Sequence, residues 1–293
     1  MKKENQSDAL PRIAATLEKL ADYFLPKHHF CLDDDQHMAY LWEAHEKRLI
    51  PVSCVNHIKL ELIKGIDRQL NILLENTRQF TQGFSANNVL LWGARGVGKS
   101  SAIKAVHAAI NNENASLQLG LIEIFKEDLA SLPYLLQLLA KTKRRFILFC
   151  DDISFEASDD SYKFLKVVLD GGLQGRPNNV IFYATSNRRH IIARNMQENI
   201  ERNEELISGE TAEEKLALSD RFGLWIGLYA IDQETYFAIV KSYANYYQLN
   251  IDADELVAQA HEWAMMRGAR SGRVAFQFIE DLAGKLGKKL SQK

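Results

Sequence analysis

The chain has 293 residues, 46% of them hydrophobic and 25% charged, which is enough apolar material for one large domain plus a smaller one and excludes a disordered or fibrous chain. Its 36 Lys and Arg against 38 Asp and Glu leave a formal charge of -2, so the overall field does not announce a nucleic-acid partner, although a local basic patch is still compatible with it. Three cysteines, Cys31, Cys54 and Cys150, form an odd set without metal-ligand spacing and fit a reducing cytosol better than a disulfide framework. Met1-Lys2-Lys3 runs into polar residues with no apolar segment behind it, so a secretory signal is not expected. No apolar run approaches the ~18 residues of a membrane-spanning helix.

Apolar residues at Ile13, Leu17, Leu20, Ala21 and Phe24 predict an amphipathic helix over 10–25, ended by Pro26. A second helix is predicted from Asp33 to His45, with acidic residues at the positive end of its dipole and Trp42 as a packing residue. Pro51 marks a boundary. Residues 1–58 carry no chemical signature and read as a short helical N-terminal extension. Leu62-Ile63-Lys64-Gly65-Ile66-Asp67 then sets two apolar residues before a turn glycine and a long helix through Phe80. In P-loop ATPases such an element often lies beside the base, which makes Ile63 and Ile66 candidate adenine contacts; a plain helix entry is the alternative.

Asn88-Val89-Leu90-Leu91-Trp92 is an apolar run of strand length. It leads into Gly93-Ala94-Arg95-Gly96-Val97-Gly98-Lys99-Ser100, which matches G-x-x-x-x-G-K-[ST], and then into a helix from Ser101 with apolar residues at helical spacing. Strand, glycine-rich turn and helix start form the context this motif requires. Glycines let the backbone wrap closely around phosphate oxygens. Backbone N–H groups and the helix dipole favour the anion. Residues Gly93 to Ser101 are therefore the expected nucleotide contacts, with Lys99 reaching the β- and γ-phosphates of ATP and Ser100 ligating Mg²⁺.

Strands and helices alternate beyond this point. Strands are predicted at 119–124, 145–150, 179–184 and 224–229, and helices at 129–141 and 161–169. Near-continuous apolar strands of this kind indicate a parallel sheet covered on both faces, here a three-layer αβα sandwich with five parallel strands. From Asp232 onward only helices are expected: 233–247, 253–266 and one from Ser271 to Leu286. The domain reading is an extension over 1–58, a core over 59–230 and a helical lid over 231–293.

Several residues complete a phosphate-transfer site. The apolar strand ending at Cys150 is followed by Asp151, which is expected to hold Mg²⁺ and orient Ser100. The next residue usually supplies the water-activating carboxylate, commonly Glu; here it is Asp152, one methylene shorter, with Glu156 close by as a substitute. Asn187, ending the following strand, can hold the attacking water, or it forms a turn. Arg221 in Ser219-Asp220-Arg221-Phe222, after a charged helix over 211–218, can act as an arginine finger toward a neighbouring subunit, or it complements a helix dipole. Arg270 and Arg273, in Gly268-Ala269-Arg270-Ser271-Gly272-Arg273, compete for a lid arginine that reaches back to the phosphates. The basic clusters Lys143-Arg144-Arg145 and Arg188-Arg189-His190 read as solvated surface.

P-loop, acidic strand end, polar strand end, finger arginine and helical lid, in that order, resemble the AAA+ ATPases over residues 60–290. Phe149-Cys150-Asp151-Asp152-Ile153-Ser154-Phe155-Glu156, Leu218-Ser219-Asp220-Arg221-Phe222-Gly223 and Arg270-Ser271-Gly272-Arg273 are similar to an uncharacterised bacterial family of AAA+-like ATP-binding proteins. The resemblance implies a cytoplasmic ATPase active as a homo-oligomer, a ring or a transient assembly, that binds ATP and ADP with Mg²⁺ and remodels an unidentified protein or protein–DNA partner. A slow nucleotide-gated switch or scaffold, and a DNA-associated loader, are the alternatives. Asp152 in place of Glu departs from the general pattern and leaves the base open between Asp152 and Glu156.

Overall fold

The computed structural model describes residues 16, 32, 36–114, 118–155, 162–170, 176–189 and 220–290. The chain divides into two compact units, 1–36 and 37–293, and everything below lies in the second. The five expected strands form as β3 (Val89–Gly93), β4 (Gly120–Glu123), β5 (Phe146–Cys150), β6 (Val180–Ser186) and β7 (Leu224–Leu228), all parallel to their neighbours in the sheet. Every residue of β5 and β6 is buried, which is what continuous apolar strands require.

Residues 39–52 differ from the sequence expectation. Where part of a helix was expected, β1 (Ala39–Glu43) pairs antiparallel with β2 (Arg48–Val52) and parallel with β4. The sheet therefore has seven strands among the described residues, in the order β2-β1-β4-β5-β6-β3-β7, not five. The physical reason is alternation: Tyr40 and Trp42 project from one face of β1 and are each 1% exposed. Trp42 donates from Nε1 to Ser131 Oγ at 2.6 Å, and the Tyr40 ring meets Phe146 edge-on with centroids 6.4 Å apart. The packing role read for Trp42 holds, in a strand instead of a helix. The predicted helix over 10–25 lies outside the described residues, Thr16 apart, as does the charged helix over 211–218.

Helices α1 (Asp67–Thr81) and α2 (Lys99–Glu113) cover one face of the sheet. Leu70, Leu73, Ile103 and Val106 pack there against Val89, Leu91, Ile147, Phe149, Ile181 and Tyr183. The alternate strand residues Leu90, Ile122, Leu148 and Phe182 are fully buried on the other face. Helices α3 (Leu132–Leu139) and α4 (Tyr162–Asp170) complete the described part of the core. No described helix is long and apolar enough to cross a membrane.

After β7 come α5 (Gln233–Tyr246), α6 (Ala253–Arg267) and α7 (Gly272–Lys285), which enclose a second apolar cluster around Tyr236, Val240, Ala260, Phe278 and Ile279. Side chains cap all three: Asp232 accepts from Thr235 N–H, Asp252 from Asp254 and Glu255 N–H, and Ser271 from Val274 N–H. Leu62, in the short 3₁₀ turn Leu60–Leu62, belongs to this second cluster, while its neighbour Ile63 belongs to the first. The turn thus ties the helical part to the sheet.

Truncating Trp42 should test the added hairpin. Trp42→Ala is expected to lower stability by about 3–5 kcal/mol, the usual loss for a large buried aromatic, read as a shift of the denaturant midpoint at constant m. A loss below ~1 kcal/mol would show that β1 does not pack into the core.

Candidate functional site

The residues after the carboxyl ends of β3, β6 and β5 meet along one edge of the sheet, because those strands are neighbours in that order. Gly93 closes β3 with φ +140°; a Cβ there would stand 1.8 Å from the Leu228 carbonyl oxygen. Glycine is required where β7 crowds the entrance to the loop. At the apex, Gly96 has φ +78°, and a Cβ would lie 2.9 Å from Ser271 Oγ, the N-cap of α7. The Gly96 carbonyl also accepts from Arg273 N–H at 3.4 Å, so the loop apex abuts the start of the last helix. Helix α2 begins at Lys99 with no side chain capping it, the arrangement of a helix start that receives an anion.

A chain of hydrogen bonds runs across the three strand ends. Lys99 is 7% exposed, and its ammonium donates to Gly93 O (2.8 Å), Ala94 O (2.7 Å) and Asn187 Oδ1 (2.9 Å). The other end of the Asn187 amide donates to Asp152 Oδ1 at 2.5 Å. Both ends of the amide are thus assigned by chemistry, since only its oxygen can face the ammonium. Ser100 Oγ donates to Asp151 Oδ1 at 2.6 Å. Thr185 Oγ1 donates to the same carboxylate oxygen at 2.5 Å and accepts from Asp152 N–H at 2.8 Å. Burial holds the Lys99 pKa below its ordinary value, opposed by the charges of Asp152 and Asp151 and assisted by those of Arg273 and Arg95.

These groups line one end of a cleft of about 630 Å³, within the range of small-molecule sites. Arg95 to Ser101, Asp151, Asp152, Thr185, Asn187 and Arg273 form the polar end. Ile58, Leu62, Ile63, Ile231, Ile239, Tyr243 and Phe276 form an apolar wall shared by the sheet and helical parts. An anionic group would sit near the cations and the α2 N-terminus, with an apolar ring against the wall. Ser100 and Asp151 are hard oxygen donors suited to Mg²⁺. Among the described residues there is no cluster of three or more His, Cys, Asp or Glu that could hold a metal. The pair would therefore need phosphate oxygens and water to fill an octahedron, the usual mode for Mg²⁺.

The expected site residues fall into two groups. Arg95 to Ser101, Asp151, Asp152, Asn187, Ile63 and Arg273 line the cleft, and the Gly93 and Ala94 carbonyls hold Lys99. Ile66, the N-cap residue of α1, is 3% exposed in the core cluster and does not line it. Arg270 is exposed outside the cleft, and its charge acts on Tyr236. Arg221 precedes the amino end of β7, which pairs in parallel with β3; the four residue steps from Leu224 to Leu228 put it at least ~13 Å from the P-loop edge. Glu156 lies outside the described residues.

Three side chains, Thr185, Arg144 and Arg189, have contacts that the sequence reading did not assign. Thr185 holds the acidic pair; the available signal was a hydroxyl ending an apolar strand just before Asn187. Arg144 is not solvated surface: it is 7% exposed and donates to Gln118 O, Tyr40 Oη and His37 O. Arg189 lies over the Trp92 and Trp225 rings, at 5.4 and 5.6 Å from their centroids. Cys150 is fully buried and burial pushes its thiol up, so it is no nucleophile.

A family model described as "Protein of unknown function (DUF815)" matches residues 35–286. No curated protein matches the chain. Among solved structures, domain III of the Thermotoga maritima replication initiation protein DnaA is 14% identical with a TM-score of 0.50, covering 80% of this chain and 91% of that one. The FIGL-1 AAA domain in complex with ADP is 17% identical at a TM-score of 0.49, covering 80% and 76%. The Thermotoga maritima RuvB Holliday junction branch migration motor is 14% identical at 0.42, covering 79% and 85%. At such identities a likeness shows fold alone, and the fold is that of the AAA+ ATPases.

Lys99→Ala removes the buried ammonium at the P-loop. It is expected to leave the fold intact and weaken ATP binding by about 10-fold to 100-fold, the worth of a charge-assisted hydrogen bond of roughly 1.5–3 kcal/mol. Calorimetric titration checks this, and unchanged affinity would remove the site assignment.

Proposed function

The chain belongs to the family described as protein of unknown function (DUF815), and from that premise we propose that it binds and hydrolyses Mg-ATP as a homo-oligomer and couples hydrolysis to remodelling of a protein or protein–DNA partner. The observation that carries the reading is the Ser100–Asp151 hydrogen bond: 2.6 Å between side chains 51 residues apart, beside a buried Lys99. In this reading residues 59–230 are the ATPase core, 231–293 the lid and 1–58 an extension, and the protein works in the cytoplasm.

The roles follow from position. Lys99 contacts the β- and γ-phosphates, and the α2 N-terminus receives their charge. Ser100 and Asp151 hold Mg²⁺, which neutralises charge on the phosphates. Asp152 accepts the proton of the attacking water, with Glu156 as the alternative, and Asn187 orients that water. Arg273, whose N–H already meets the loop, is the lid arginine in preference to Arg270. Ile63 and the apolar wall take the base. Arg221 lies at the far edge of the sheet from its own P-loop, so it serves a neighbour's nucleotide if it serves any.

One observation favours a second reading, a switch that turns over slowly. Asp152 is a methylene shorter than the usual Glu, and its carboxylate is bonded to Asn187 at 2.5 Å. That bond leaves the remaining lone pairs of a shorter side chain to take the proton of the attacking water.

Asp152→Asn keeps side-chain volume and removes the base. It is expected to bind ATP normally and hydrolyse it ~10²-fold or more slowly, while Glu156→Gln stays near the parent rate. The reverse pattern makes Glu156 the base, and a full rate in both variants rules out carboxylate activation.

For the oligomer, activity per subunit should rise with protein concentration. Arg221→Ala and Lys99→Ala, each inactive alone, should regain part of the activity when mixed, because some interfaces then join an intact pocket to an intact arginine. Concentration-independent turnover with no recovery in the mixture would leave the monomeric switch.

A further inference from the structure

We propose that Thr185 is a positioning residue whose single hydroxyl couples the metal-holding carboxylate of Asp151 to the backbone turn that aims Asp152. The inference rests on the Mg-ATP reading above. A threonine hydroxyl has one proton to give and lone pairs to accept with. The N–H of Asp152 can only donate, so Thr185 Oγ1 accepts there at 2.8 Å, and its own proton goes to Asp151 Oδ1 at 2.5 Å. The Thr185 carbonyl accepts from Ile153 N–H at 2.7 Å. One residue of β6 therefore holds two successive N–H groups as the chain leaves β5.

The turn it holds is an uncommon one. Asp152 has φ +49°, in the left-handed region that non-glycine residues adopt only when their surroundings compensate. That conformation sets the Asp152 carboxylate 2.5 Å from Asn187. On the other side, Asp151 Oδ1 takes the Ser100 and Thr185 protons together, which fixes the carboxylate plane against the P-loop hydroxyl. Thr185 itself is 1% exposed and sits at the foot of the cleft that Asp151 and Asp152 also line. A valine would suit a buried strand as well and match the shape; only the hydroxyl distinguishes threonine here.

The test uses Thr185→Val, which deletes the hydroxyl, and Thr185→Ser, which keeps it. In nucleotide-free protein, amide exchange followed by NMR should be about 10-fold faster or more at Asp152 in Thr185→Val and near parental in Thr185→Ser. Affinity for a non-hydrolysable ATP analogue is then compared with Mg²⁺ and with EDTA. Thr185→Val should lose about 10-fold or more of the gain conferred by Mg²⁺, as partners of metal ligands usually do, with affinity in EDTA unchanged. Thr185→Ser should retain the gain.

A parental Mg²⁺ gain in Thr185→Val overturns the coupling, even if exchange is faster, since the residue is then structural only. If Thr185→Val does not fold, Thr185→Ser decides: a retained gain supports the hydroxyl and a lost gain overturns it. A parent protein that gains nothing from Mg²⁺ overturns the Mg-ATP reading and the coupling with it, and the exchange rates, taken without nucleotide, show separately whether Thr185 holds the turn.

Discussion

β6 lies between the strand that opens the P-loop and the strand that Asp151 follows, and the chemistry of this edge depends on that placement. Adjacent strands are ~4.8 Å apart, so the tips of β3 and β5 are separated by roughly 10 Å. Lys99 and Asp152 stand on opposite sides of this gap and do not need to touch. β6 fills it with Asn187, which bonds both, and with Thr185, which bonds both acidic residues. A direct β3–β5 pairing would leave no strand end from which these bridges could come.

The same geometry keeps a buried cation satisfied. An ammonium taken out of water without partners is costly by several kcal/mol. Lys99 has three protons, and the structure provides three acceptors, two of them carbonyls of its own loop. The loop therefore folds around the lysine before any ligand arrives, and phosphate oxygens must compete with bonds already made. They bring full negative charge where the carbonyls bring dipoles, which is the direction in which that exchange is favourable.

Most of this framework is legible in the sequence because it depends on period and punctuation. The five central strands are unbroken apolar runs, the helices after β7 are capped at Asp232, Asp252 and Ser271, and Gly93 and Gly96 stand where β7 and α7 crowd the backbone. The β1–β2 hairpin is not legible: only Tyr40 and Trp42 carry its alternation, while Asp33-Asp34-Asp35 imitates the start of a helix. Spacing could not rank Arg270 against Arg273, three residues apart. The cap at Ser271 separates them in space, with Arg273 in the first turn of α7 against Gly96 and Arg270 outside the cleft. Ile63 and Ile66 separate in the same way, one on the cleft wall and one turned into the core at the head of α1. Thr185 is hidden by its suitability for a strand; nothing in the letters shows that its hydroxyl faces two aspartates.

The contact between Gly96 and α7 links the charge of the site to its shape. Arg273 gives its N–H to the loop apex, and its cationic side chain lines the cleft, where its field opposes the charge on Lys99. Arg95 adds to that opposition from the loop itself. Among the described residues, the cleft is lined by the cations Lys64, Arg95, Lys99 and Arg273 and by the Asp151 and Asp152 carboxylates. A polyphosphate between the sheet edge and α7 would relieve repulsion across both parts at once, and its loss would restore it. The loop apex meets the last helix through the Arg273 N–H to Gly96 O hydrogen bond and the Gly96–Ser271 contact, so in the proposed reading the change in repulsion would act where the helices after β7 meet the sheet. In that reading, phosphate at this site would act on the helices after β7 directly, without a relay through the core.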